Sequence, residues 1–249
     1  MATASRFAGE GFRVVLSSRS KSNVAAQADQ LRAAGFAAEG RVADASDITS
    51  IAELIREVEV ETGGVDVLHF NAAAMHDGNL ETQSVAGFIQ DLTTNIGAVY
   101  AAIKAVSPRM AARGEGAILL TGGMFATQPH PEYLTLSVGK AGLLNLTHCL
   151  FPVLKAQNIH LSIVTVGAYV TPGFRRSPGD CRSVLAAIPP AIRAMDSGSV
   201  LSRPTPSVTF PGRRLASGSH RPDVRKKRHP SLAFPVTSDQ DTTIFMEAM

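Results

Sequence analysis

The sequence predicts an α/β fold in which a parallel sheet carries helices on both faces. Short apolar runs alternate with amphipathic stretches from the start to about residue 172, the pattern of repeated strand–helix units. The chain has 249 residues, 45% of them apolar, enough for one domain with a sizeable core. No internal repeat is visible, and no apolar run reaches the roughly eighteen residues that would read as a membrane span.

The elements follow in order. Phe12 to Ser17 is a strand, and Asn23 to Ala34 a helix stopped by Gly35. Ala37 to Val42 is the next strand. Asp47 to Thr62 is a helix with Ile51, Leu54, Ile55 and Val58 on one face, closed by Gly63-Gly64. Val65 to Phe70 is a strand and Val85 to Ala112 a long helix. The strands Ala117 to Thr121 and His160 to Val166 flank a helix over Leu134 to Ala156.

Composition divides the chain into a body, residues 1–175, and a tail, residues 176–249. The tail holds 9 of the 14 prolines, with Ser, Arg and Gly scattered among them. Such a segment buries little and is expected to be irregular or disordered; a translation frameshift near Gly173 would give the same kind of sequence. Eleven of the 24 Lys and Arg but only 6 of the 21 Asp and Glu lie in it. The body therefore keeps 13 basic against 15 acidic groups, and the net charge of +3 describes the tail. A nucleic-acid-binding body is not indicated. The run Arg225-Lys226-Lys227-Arg228-His229 reads as a solvated charge cluster, with nucleic-acid contact or nuclear import as the alternative. Cys149 and Cys181 have the spacing of neither a zinc site nor a disulfide framework. Reduced thiols in the cytoplasm, without a metal, are expected.

The stretch Leu136-Ser137-Val138-Gly139-Lys140 carries the most information. Residues four apart on a helix share a face, with Cβ atoms about 5–6 Å apart, so a lysine at the second position can lower the pKa of a phenol at the first. The lysine is present; Leu136 stands at the first position. Other landmarks follow the same order along the chain: Asp44 in Val-Ala-Asp-Ala-Ser-Asp, Phe70-Asn71-Ala72-Ala73 at a strand end, Asn95 in Thr-Asn-Ile-Gly, and Val166-Gly167-Ala168-Tyr169-Val170-Thr171-Pro172. Taken singly they have plainer explanations. Asp44 would cap a turn, Asn71 would satisfy backbone groups, and Asn95 and Lys140 would be solvated helix residues.

Together, over residues 2 to about 173, they resemble the short-chain dehydrogenase/reductase family. The resemblance implies a Rossmann-like, doubly wound parallel sheet and an NAD(P)-dependent oxidoreductase acting on a small carbonyl or alcohol. It implies that Lys140 holds the nicotinamide ribose, that Asn95 supports a water-mediated proton path, and that Asp44 lies near the adenine. Asn71 and Ala72 would form the turn ending the fourth strand, and Thr171 would belong to the loop that touches the nicotinamide carboxamide, with Val166 where proline is usual. Ser18 stands where enzymes that choose NAD place an acid, and Arg19 follows it. A guanidinium suits a 2′-phosphate, so NADP is expected, with NAD possible. A homodimer or homotetramer is the family expectation.

The sequence also departs from the family. It opens at Ala2-Thr3-Ala4-Ser5-Arg6-Phe7, which resembles the middle of the family's first helix. The preceding strand and glycine-rich turn have no counterpart. A sheet ordered 3-2-1-4-5-6 is then expected to lack its central strand, leaving strands on both sides unpaired. Gly123 occupies the position of the catalytic serine, and Thr121, two residues earlier, is a poor substitute. Tyr133 is the remaining candidate acid, although helical geometry would place it about 10 Å along the axis from Lys140. His130 is a second candidate donor. The competing reading is a catalytically inactive nucleotide-binding or regulatory homologue, or a decayed gene product.

Overall fold

A computed structural model of the protein describes residues 2–166 and the strand at 243–248. Helix α1 (Ala2–Gly9) leads into β1 (Phe12–Ser18), α2 (Lys21–Ala33), β2 (Ala38–Val42), α3 (Ile48–Thr62) and β3 (Val67–Phe70). Helices α4 (Val85–Leu92) and α5 (Ala98–Arg113) precede β4 (Ala117–Gly123). Helix α6 (Leu134–Ala156), β5 (His160–Val166) and β6 (Thr243–Ala248) complete the set.

Local chemistry fixes the helix ends. Ser20 accepts a hydrogen bond from the Asn23 N–H at the start of α2, and Asp47 accepts from Thr49 and Ser50 at the start of α3. Gly63 ends α3 in the left-handed region, at φ 86°. The long helix expected over Val85 to Ala112 is two helices: residues Thr93–Gly97 form a π turn between α4 and α5. Such a turn inserts one residue into the helical register. Hydrophobic periodicity over Val85 to Ala112 gave no sign of it.

The sheet order is β2-β1-β6-β3-β4-β5. The β1–β2, β3–β4 and β4–β5 pairs are parallel, as the alternation of strands and helices predicts. Val14 and Leu16 face α1 and α2, with Phe7, Val24 and Leu31. Val15, Leu68 and Ile118 face the opposite layer, where Ile55, Val99, Val106 and Leu143 come from α3, α5 and α6. One chain thus covers both sides of one sheet, and the predicted doubly wound architecture is the observed one.

One expectation is corrected. The sheet does not lack its central strand. Strand β6 lies between β1 and β3, antiparallel to both, with Met246 opposite Val14 on one side and Val67 on the other. Residues assigned from composition to an irregular tail therefore fill the position at which two edges were expected. Parallel neighbours need crossover connections, but an antiparallel strand satisfies the same backbone groups from the opposite direction. Thr-Ile-Phe-Met in β6 is rich in strand-forming residues, a signal masked by the Pro-rich segment before it. Residues 167–242, with Thr171, Cys181 and the basic run, lie outside the described residues. Among the described residues, no helix is long and apolar enough to cross a membrane.

Candidate active site at the carboxyl ends of β3 and β4

Strands β3 and β4 end side by side, in parallel register from Val67–Ala117 to Phe70–Leu120. Lys140, on α6, is only 8% exposed. Its Nζ donates to the Thr121 carbonyl oxygen at 2.8 Å. Burial lowers its pKa from 10.5 to about 8, because a charged ammonium loses hydration that one carbonyl only partly replaces.

Asn95 lies in the π turn and is buried. Its Oδ1 accepts from the Ala74 N–H at 2.8 Å and its Nδ2 donates to the Ala74 carbonyl at 3.4 Å. It therefore clasps the backbone just beyond Asn71-Ala72-Ala73. Helix α6 can approach only because residue 139 is glycine: a Cβ there would lie 2.7 Å from the Asn95 Cβ. Gly139 thus brings Lys140 and Asn95, 45 positions apart in the sequence, to one side of the site.

Thr121, a poor substitute for the missing serine, ties the strand ends together. Its Oγ1 donates to Asn71 Oδ1 at 2.8 Å and lies 3.1 Å from His69 Nε2. With its carbonyl on Lys140, one residue connects three others. His69 is buried, and desolvation lowers its pKa to about 4, so it is neutral. Sequence reading missed His69 and the hub role of Thr121. The available signal was two polar residues in otherwise apolar strands, each at the side-chain parity that faces the same layer.

A cleft of about 230 Å³ opens beside this group, lined by Arg19, Asp44, Ala72, His76, Asp91 and Thr94, among others. Ser18, which ends β1 just before Arg19, is buried, with Oγ accepting from the Ser20 N–H. Asp44 behaves partly as its plainer reading foresaw: Oδ1 accepts from both the N–H and the hydroxyl of Ser46, at 2.8 Å each. It still forms part of the cleft wall. His76 was not foreseen. Its Nε2 lies 2.9 Å from Asp91 Oδ2 and its Nδ1 3.1 Å from the Asp77 carbonyl. Both partners are acceptors, so the pair favours the form with a proton on each ring nitrogen, and the Asp77 carbonyl first and then Asp91 raise its pKa.

The structure gathers Lys140, Asn95, Asn71 and Thr121. Arg19, Asp44 and Ala72 form the neighbouring cleft. Leu136 is buried and Gly123 has room for a side chain: a Cβ there would meet Lys140 Cγ at 3.5 Å, ordinary contact. Tyr133 caps α6 outside its helical register, stacked on Phe125 at 5.4 Å with His130 at 5.6 Å. These rings stand on the β4–α6 connection.

The family model for short chain dehydrogenase matches residues 1–180. The chain belongs to the short-chain dehydrogenase family. Dehydrogenase/reductase SDR family member 4 of Sus scrofa is 31% identical over 172 residues, which are 69% of this chain and 62% of that protein. The chain thus spans a little over three fifths of the length of that relative. The 3-oxoacyl-[acyl-carrier-protein] reductase FabG of Escherichia coli K12 is 27% identical over 189 residues, 76% of each chain. Among solved structures, a metagenomic short-chain oxidoreductase in complex with NADP is similar, with a TM-score of 0.68 and 27% identity. That match covers 82% of this chain and 91% of the other. Within the short-chain dehydrogenase family, this chain combines a buried lysine and asparagine with leucine and glycine at positions 136 and 123.

Proposed function

We propose that the protein is an NADP(H)-dependent oxidoreductase acting on a small carbonyl or alcohol. The observation that carries the reading is the Lys140–Thr121–Asn71 connection at the carboxyl ends of β3 and β4, beside the cleft containing Arg19. Ligands of open α/β sheets bind at strand carboxyl ends. The structurally similar short-chain oxidoreductase was solved with NADP, which supports the choice of cofactor.

The residues present fit such a group. The cleft is walled by small alanines at 72–74, which admit a flat ring, and bounded by Arg19, whose guanidinium matches a 2′-phosphate. The bound nicotinamide would supply or accept hydride. Lys140, held by the Thr121 carbonyl, retains further N–H donors for ribose hydroxyls. Its lowered pKa keeps the ammonium easily deprotonated near neutrality. Asn95 holds the Ala74 backbone in place and so shapes the cleft wall. Tyr133 is the proposed proton donor, as a phenol on the connection between β4, which ends at Gly123, and α6, which carries Lys140. Exposed Val85, Ile89 and Tyr100 on α4 and α5 support a homodimer or homotetramer.

Leu136 and Gly123 favour the second reading, a nucleotide-binding homologue without turnover. Titration with NADPH, followed by its oxidation with a panel of aldehydes and ketones, separates the two. Binding with turnover that falls at least about tenfold in Tyr133→Phe supports the enzyme. Binding without turnover across the panel supports the alternative, and failure to bind NADPH removes both.

A further inference from the structure

Three polar residues that share no sequence motif form a directional chain at the carboxyl ends of β3 and β4. His69 Nδ1 is buried with no hydrogen-bond partner. An N–H left unpaired in that position is costlier than an unpaired lone pair, since acceptors are more often left unsatisfied than donors. The ring proton therefore sits on Nε2, which donates to Thr121 Oγ1 at 3.1 Å. The Thr121 hydroxyl has one proton, and at 2.8 Å Asn71 Oδ1 takes it. That assignment fixes which way the Asn71 amide faces. Its carbonyl is turned inward, toward Thr121, and its NH₂, which has no partner among the described residues, is left as the outward group. Asn71 is half-buried, and the next residue, Ala72, lines the cleft.

We propose that His69 and Thr121 are positioning residues that lock the Asn71 side chain with both amide protons available to an acceptor group on the bound dinucleotide. The chain selects an acceptor-rich ligand at this point, a ribose oxygen or a phosphate oxygen, over a hydroxyl that needs to donate. The same threonine holds Lys140 through its carbonyl, so the amide of Asn71 and the ammonium of Lys140 are set by one residue. This rests on the NADP(H) reading for the identity of the ligand, but not for the direction of the chain.

Two measurements on the full chain test it. The first needs no cofactor. In protein carrying ¹⁵N-labelled histidine, the His69 ring is expected to be neutral and protonated on Nε2 at neutral pH. A ring protonated on Nδ1 overturns the proposal, whatever the protein binds. The second is fluorescence titration with NADPH. Thr121→Val keeps shape and carbonyl but removes the hydroxyl, and is expected to weaken binding about tenfold. Thr121→Ser restores it. Asn71→Asp keeps the inward acceptor and loses the outward donors, and is expected to weaken binding at least as much. Thermal unfolding of each variant verifies folding. If wild-type protein binds NADPH and folded Thr121→Val and Asn71→Asp bind equally well, the positioning role is wrong. If wild-type protein does not bind NADPH, the functional reading fails and the tautomer alone decides this inference.

Discussion

The backbone of Gly139 rests against the side chain of Asn95 so closely that a Cβ on residue 139 would come within 2.7 Å of the Asn95 Cβ and 2.9 Å of its Nδ2. This contact lets α6 bring Lys140 beside the π turn. Gly139→Ala is therefore expected to push Asn95 away from Ala74, destabilising the fold by about 1–3 kcal/mol. It should also weaken NADPH binding, whereas an alanine at an exposed α6 position such as Val138 should not. Urea unfolding together with NADPH titration of both variants checks this. Equal stability of Gly139→Ala and wild type would refute the contact.

Neighbouring glycines at the end of β4 make a second contrast. A Cβ on Gly122 would stand 2.9 Å from Ile163 Cγ1, but one on Gly123 meets nothing nearer than 3.5 Å. Gly123→Ser should fold with stability close to wild type, while Gly122→Ala should lose about 1–3 kcal/mol. Reversal of that order in thermal unfolding would show that the strand end is misplaced.

Burial of Lys140 predicts a pH dependence with a definite sign. Its pKa is about 8 when folded against 10.5 unfolded. Between those values the unfolded chain holds the proton and the folded chain does not. Stability from this group therefore rises with pH through that window, by up to about 3 kcal/mol. The desolvation penalty is fully present below it. Urea unfolding of wild type and Lys140→Met at about pH 8 and about pH 10 should show a smaller rise, or a larger fall, in the variant. Parallel pH profiles would mean that the ammonium is hydrated.

His76 gives the opposite sign. Hydrogen bonds to Asp77 and Asp91 raise its pKa above 6.5. Its contribution is thus fully present below that value and lost as pH rises through the folded pKa. The ring is 45% exposed, so solvent screening keeps the effect small, below about 1 kcal/mol. Its ring resonances should titrate later than those of a free histidine, and Asp91→Asn should bring the midpoint down. An unchanged midpoint would contradict the pairing.

Removal of β6 tests the sheet. Deleting residues 243–249 would expose the facing edges of β1 and β3, whose backbone pairs with this strand. The truncated chain is expected to lose cooperative unfolding or to aggregate. A soluble protein with an unchanged melting temperature would show that the strand is dispensable.

The parallel strands and most helix limits were legible because β1, β3 and β4 are short apolar runs and α3 carries a clear amphipathic face. The order of Asp44, Asn71, Asn95 and Lys140 pointed to the candidate site at the strand ends. Three things were hidden for physical reasons. The π turn at Thr93–Gly97 changes the register of a helix without changing its polarity pattern. The place of β6 depends on pairing between residues almost the whole chain apart, which composition cannot convey. The His69–Thr121–Asn71 chain joins two strands, and each of its members is ordinary until β3 and β4 are aligned.

We propose that Lys140, Asn71 and the cleft beside Arg19 hold a dinucleotide although Leu136 and Gly123 supply no proton-transfer group. A crystal structure of the full chain with NADPH tests it most directly. The account predicts a ribose hydroxyl within about 3 Å of Lys140 Nζ, an acceptor atom facing the Asn71 amide, and the 2′-phosphate against Arg19. A dinucleotide bound elsewhere, or bound with its nicotinamide ribose remote from Lys140, would contradict it.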